Sequence, residues 1–189
     1  MSATKPPAPD DDGDDDDESP PVAVMIADVR WGAAGLEGLA RAAAAATLAR
    51  LGLDADAHIA TLLATDDAEV AGLNAQFRGK PAPTNVLSWP ARELAAAVDG
   101  AAPARPAPDP FGGPAELGDI ALAYETCAAE AAAAGRPLAD HATHLVVHGL
   151  LHLLGYDHTR PADAALMEGL EVEILANLGV ANPYDPPDE

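Results

Sequence analysis

Apolar positions along the chain change period several times, and each change predicts an element. Val22–Val29 (VAVMIADV) is a short, nearly continuous apolar run and predicts a buried strand. Leu36–Leu51 is alanine-rich, with Leu36, Leu39, Leu48 and Leu51 at helical spacing and Gly52 as its stop. His58–Leu63 predicts a second strand. Asp66 followed three residues later by Glu69 is a capping-box-like start for a helix reaching about Phe77. Val86–Trp89 and Asp119–Ala123 predict two further strands, and Tyr124–Ala134 a helix ended by Gly135. Pro137 opens a central helix in its first turn, running to Leu154. Pro161 opens a last helix whose inner face is Leu166, Leu170, Ile174 and Leu178, with Gly179 as its stop.

Two stretches carry no such period. Residues 1–20 are rich in Pro and Asp, which predicts a disordered acidic tail. Ala91–Pro114 is rich in Ala, Pro, Gly and Asp and longer than a hairpin needs, which predicts a mobile surface loop. Strand and helix do not alternate throughout. The expected class is therefore α+β, a single domain over residues 21–189 with a small mixed β-sheet packed with helices.

The central helix carries the candidate chemistry. His148, His152 and His158 stand at i, i+4 and i+10 in HGLLHLLGYDH. The first two share a helix face with Cβ atoms about 5–6 Å apart, within reach of one metal ion. Gly155 allows a left-handed turn that can return His158 as a third ligand. Between the histidines the helix is mostly Leu and Val, so it is expected to be buried. Burying several unpaired imidazoles would cost about 1–3 kcal/mol each, and one shared cation satisfies them together. Zinc suits imidazole ligands, and three protein nitrogens leave a fourth position open, as in catalytic sites. His141 and His144 extend the same face. Four ligands on one straight helix cannot converge, so these two are read as supporting groups or cleft lining.

The spacing resembles the H-E-x-x-H-x-x-G-x-x-H pattern of metzincin metalloproteases, which makes this a metzincin-like zinc helix. The chain departs from that pattern where the proteases carry their general-base glutamate; here the residue is Gly149. A neutral three-histidine set also leaves the charge of a divalent cation uncompensated, which suits an anionic substrate better than a peptide.

Composition narrows the setting. The 189 residues suffice for one domain, and 49% are hydrophobic. A single cysteine, Cys127, excludes an internal disulfide framework and reads as a small core residue in a reducing compartment. There is neither a secretory signal nor an apolar run of about 18 residues, so a soluble cytoplasmic protein with no membrane partner is expected. The formal net charge of −21 argues against a broad basic face for DNA or other nucleic acid, though not against a small local positive site. Arg78 and Lys80 stand together in one Gly/Pro turn, and Lys80 is the only lysine outside the tail. Such a pair suits either an anion contact or a solvated turn.

The stretch LNAQFRGKPAPTNVLSWP (Leu73–Pro90), followed downstream by HGLLHLLGYDH, resembles the YbeY endoribonuclease family of rRNA maturation factors. Leu117–Ile120, the segment Met167–Leu175, Leu178-Gly179 and Pro183-Tyr184 resemble further parts of that family, over about residues 22–184. The acidic tail and the Pro/Ala segment lie outside the resemblance. It implies a metal-dependent, single-strand-specific endoribonuclease acting on ribosomal RNA precursors, in maturation of the 16S rRNA 3′ end and ribosome quality control. His148, His152 and His158 match the family's metal ligands, with one zinc per chain, and Arg78 its functional arginine. Lys80, His144 and Asp157 are candidates for the supporting shell or substrate contact, Asp157 as a group that orients a ligand imidazole. The small ribosomal subunit and ribosome-assembly proteins are the implied partners. Two alternatives stay open on the sequence: a metallopeptidase-like hydrolase, supported by helix spacing and opposed by Gly149, and a non-catalytic ribosome-assembly factor with a structural metal.

Overall fold

A computed structural model describes residues 20–185. The acidic tail expected over residues 1–20 falls, apart from its last residue, outside them. Among the described residues the chain runs β1 (Val22–Ile26), α1 (Val29–Ala33), α2 (Leu36–Arg50), β2 (His58–Thr65) and α3 (Asp67–Arg78). It continues with β3 (Val86–Pro90), β4 (Ala115–Ala123), α4 (Tyr124–Ala133), α5 (Leu138–Leu153) and α6 (Pro161–Asn177). The strands form one mixed sheet in the order β1-β2-β4-β3. β1 and β4 flank β2 in parallel, whereas β3 runs antiparallel to β4 with Val86 opposite Leu122. The α+β expectation, a single domain with a small mixed sheet among helices, therefore holds.

Alternation along the strands divides the core between two faces. Ala60, Leu62 and Ala64 of β2 and Ile120 and Leu122 of β4 join the large cluster with α2, α5 and α6. Ala121 and Ala123 point the other way, into a smaller cluster with Val70 of α3 and Leu87 of β3. The central helix α5 lies in the large cluster with Val146, Val147, Leu150, Leu151 and Leu153 buried. The buried face of α2, which packs on α5, is Leu36, Ala40, Ala43, Ala44, Thr47 and Leu48, half of it alanine. Small side chains let the neighbouring elements come close. Gly149 takes this furthest, since a Cβ there would lie 2.9 Å from Cδ1 of Ile120.

Three expectations need correcting. The first strand stops at Ile26, because Asp28 accepts a hydrogen bond from the Arg30 amide (2.9 Å) and N-caps α1. Trp31 of that short helix is fully buried and donates to the Thr65 carbonyl (2.9 Å). The last strand begins at Ala115, four residues before Asp119, and includes a register shift opposite Ile59/Ala60. The buried face of α6 is centred on Met167, Leu170, Glu171, Ile174 and Leu175, with Leu166 and Leu178 only half-buried. Cys127 is buried as expected, which pushes its thiol up to about 12, with Glu130 adding to the shift.

The connection expected as a mobile surface loop is tied down at several points. Arg105 donates to the carbonyls of Leu51 (3.0 Å) and Gly52 (2.6 Å) behind α2. The Gly100 amide donates to Asp163 (2.7 Å), and Arg160 donates to the Ala96 carbonyl (3.0 Å). No described helix is long and apolar enough to cross a membrane.

Candidate metal centre

The site is built where α5 ends. Gly155 (φ +88°) takes the left-handed turn, its amide donating to the His152 carbonyl (3.0 Å), and the Tyr156 amide donates to that of Leu151 (3.0 Å). Glycine is required there twice, because a Cβ would also lie 2.8 Å from the main chain of Leu94. The turn returns His158 to the helix, with its ring centroid 5.3 Å from His148 and 5.1 Å from His152. One ring nitrogen from each of these three residues lies within 4.8 Å of the others.

Hydrogen-bond partners set the tautomers. Nδ1 of His148 lies 2.7 Å from Oε1 of Glu171, and Nδ1 of His152 lies 3.0 Å from the Tyr156 carbonyl. Both partners accept, so both Nδ1 atoms carry a proton, and in the neutral rings that bind a metal both Nε2 atoms present lone pairs. Those Nε2 atoms face each other at 3.0 Å. With both rings neutral no hydrogen lies between them. Two nitrogens bound tetrahedrally at about 2.0–2.1 Å from one zinc would be about 3.3 Å apart, so the donor set fits such an ion. Burial, with His148 and His158 nearby, depresses His152 to about 4 and keeps it neutral near pH 7, as metal ligation requires.

Behind this set lies a residue the sequence reading missed. Glu171 of α6 is fully buried. It takes hydrogen bonds from His144 Nε2 (3.1 Å), His148 Nδ1 (2.7 Å) and the Tyr184 hydroxyl. Burial alone would raise its carboxyl, but these bonds outweigh that and hold it at about 2. The three-histidine set is thus not left without a compensating charge, as the sequence suggested; an anion stands one hydrogen bond behind His148. The available signal was a carboxylate on the inner face of α6, four residues after Met167 and three before Ile174.

A cavity of about 390 Å³ opens beside the histidines, and Arg78, Ser88, Arg92, His152, Asp157 and His158 are among its lining residues. Arg78 ends α3, where Gly79 (φ +68°) makes the left-handed cap and Asn74 holds the following turn by donating to the Ala82 carbonyl (2.7 Å). Asn85 of the T-N-V-L-S stretch is structural, accepting from the Val86 amide (2.7 Å) and donating to Glu130 (2.8 Å). Lys80 is exposed and does not line the cavity. His144 sits one turn before His148 on Glu171, and His141 bonds Glu130 (3.0 Å). Asp157 lines the cavity, yet its carboxylate accepts from the His158 amide (2.7 Å) and the Thr159 hydroxyl (3.0 Å) rather than from an imidazole. It shapes the turn that carries His158, and the orienting role expected of it falls to Glu171 and the Tyr156 carbonyl. His58 is buried and bonds the Asp54 carbonyl (2.7 Å), outside either histidine group.

The family profile described as Endoribonuclease YbeY matches residues 28–179 of this chain. The chain belongs to the YbeY family. It is 59% identical over 157 residues to the Endoribonuclease YbeY of Ruegeria pomeroyi, covering 83% of this chain and 93% of that protein. It is 58% identical over 167 residues to the one from Dinoroseobacter shibae, covering 88% and 91%. A solution structure of a Thermotoga maritima protein superposes with a TM-score of 0.51 at 21% identity, covering 89% of this chain and 99% of that one. That likeness speaks to the fold alone. The YbeY match spans Arg78, His148, His152, His158 and Glu171, while Tyr184 lies beyond it.

Proposed function

We propose that this protein is a metal-dependent endoribonuclease that cuts single-stranded RNA in rRNA processing, chiefly at the 16S rRNA 3′ end, and serves ribosome quality control in the cytoplasm. One observation carries the reading: the converging Nε2 atoms of His148 and His152 stand beside His158 and a cavity that Arg78 also lines. His148, His152 and His158 would hold one zinc ion per chain, a metzincin-like zinc helix in its ligand spacing. Such an ion supplies Lewis-acid polarisation of a phosphoryl oxygen or a hydroxide near neutral pH.

The chain's own groups do the rest. Glu171 fixes the ring of His148 through Nδ1, as a carboxylate behind a metal-binding histidine does. The Tyr156 carbonyl does the same for His152. Arg78 presents two parallel donors to a phosphodiester and stabilises the charge that grows on its oxygens as the bond breaks. Lys80, exposed on the turn after Arg78, adds positive charge for incoming RNA. Precursors of rRNA in the small subunit, with assembly proteins around them, are the proposed partners, to the exclusion of DNA and membranes.

A peptidase reading finds no support at residue 149, whose missing side chain would meet Ile120 instead of the cavity. The deciding experiment is metal analysis of the purified protein with cleavage assays on single-stranded RNA, duplex RNA and casein. Zinc content with cleavage of single-stranded RNA alone is expected. Casein cleavage, or bound zinc with no RNA cleavage under any metal condition, would overturn the proposal.

A further inference from the structure

Arg92 stands in the loop between β3 and β4, where nothing so far assigns it a role. Four residues of that loop, Arg92, Glu93, Leu94 and Ala95, form one wall of the cavity beside His152 and His158. In a chain with 31 acids and 10 basic residues, a cation normally finds a carboxylate. Arg30, Arg41, Arg50 and Arg160 each do. Arg105 and Arg136 instead donate to main-chain carbonyls at 3.0 Å or less. Among the described residues Arg78 makes no side-chain hydrogen bond, and Arg92 makes only a long one, 3.3 Å to the Ala107 carbonyl. These two least-engaged arginines line the same cavity.

Two carboxylates line the same cavity, but their hydrogen bonds are to neutral donors and not to the arginines. Glu93 accepts from the Ala95 amide (3.3 Å) within its own turn, and Asp157 accepts from His158 and Thr159. The cavity therefore offers two guanidinium groups that form no ion pair with either carboxylate among the described residues. Guanidinium groups left without an ion pair on one cavity keep their donors available to an anion that is not part of the chain. A guanidinium matches a phosphate with two parallel donors. A single strand of RNA carries several phosphates, and the proposed nuclease function puts one at Arg78.

We propose that Arg92 holds a second phosphate of the RNA strand, next to the one at Arg78, so that the loop adds a backbone subsite to the cleft. This rests on the endoribonuclease reading, but concerns binding alone and needs no turnover. Arg92 holds the strand in register, and the bond-breaking charge is left to Arg78.

The test is fluorescence anisotropy of a labelled, 2′-O-methylated single-stranded oligonucleotide at several salt concentrations. Wild type, Arg92→Ala, Arg92→Lys and the distant control Arg41→Ala are compared, with melting curves to verify folding. Arg92→Ala should bind roughly 10-fold more weakly, and its log Kd against log salt should be shallower by about 0.7, the loss of one phosphate contact on a single strand. Arg92→Lys should keep the wild-type slope with part of the affinity, since the charge remains and the fork does not. Arg41→Ala should match wild type. If wild type binds and Arg92→Ala binds equally with an equal slope, Arg92 touches no phosphate and this proposal fails by itself. If wild type neither binds the oligonucleotide nor cuts single-stranded RNA, the nuclease reading fails and takes the subsite with it.

Discussion

Nε2 of His148 and Nε2 of His152 lie 3.0 Å apart while their Nδ1 atoms turn away, one toward Glu171 and one toward the Tyr156 carbonyl. With both rings neutral, two lone pairs face each other in a half-buried site, a cost to the metal-free protein that a cation removes. The metal-free protein should therefore gain stability on adding zinc, about 2.7 kcal/mol when free zinc is 100-fold above its dissociation constant. His152→Ala should abolish that gain. Thermal melts with and without zinc check it, and an equal zinc-induced shift in His152→Ala would refute the ligand assignment.

Glu171 should show two separable effects. Glu171→Ala leaves the donors of His144, His148 and Tyr184 without their buried acceptor, and about 3 kcal/mol of stability should go with it. Glu171→Gln keeps the shape but not the charge, and should weaken zinc binding about 10–100-fold. Urea unfolding and competition titration with a zinc chelator measure the two separately. Unchanged zinc affinity in the Gln variant would show that the carboxylate charge does not reach the ion.

Arg78→Ala should retain zinc and melting temperature while losing about 100–1,000-fold in RNA cleavage, the usual cost of one donor aimed at developing charge. Arg78→Lys should recover only part of it. Single-turnover cleavage of single-stranded RNA decides; a wild-type rate in Arg78→Ala would remove Arg78 from the chemistry.

Gly149→Ala should destabilise by about 1–3 kcal/mol through overpacking against Ile120. Ile120→Val, which deletes the nearest atom, should relieve part of that cost in the double variant. Gly149→Glu, which restores the metzincin motif, should unfold the protein instead of creating a peptidase. Denaturant melts of the four proteins, read as a double-mutant cycle, test the contact. Additive effects would mean that the helix and strand yield independently.

The Cys127 thiol sets an alkaline limit. Its ordinary value of 9.0 is raised in the folded chain to about 12 by burial, so folding favours the protonated form. The sign follows: its contribution is intact below about 9 and falls away between about 9 and 12 as the unfolded chain ionises first. Native protein at pH 8 should also leave the thiol unreactive toward a thiol reagent until denaturant is added. Rapid native labelling would contradict the burial.

Local order was written in the sequence. The spacing of His148 and His152, the stop at Gly155 and the cap at Asp66 each depend on residues within a turn or two, so helical geometry alone brings them together. The exchange of strand for helix at Asp28 was equally local, but an apolar run hid it: Val29 belongs to the pattern of β1 and to the first turn of α1. What the sequence could not disclose depends on distance along the chain. Glu171 reaches His148 across 23 residues, and its place on α6 looks like a break in an apolar stripe until the helices are packed. Gly149 reads as a missing glutamate in a motif; only the sheet reveals that Ile120 fills the space. Arg92 sits in a segment without periodicity, and it reaches the cavity that Arg78 lines because the loop folds back over Gly155. Periodicity reports what one element shows to its surroundings. Which charge stands behind a ligand, and which loop closes a cleft, is decided when separate elements pack.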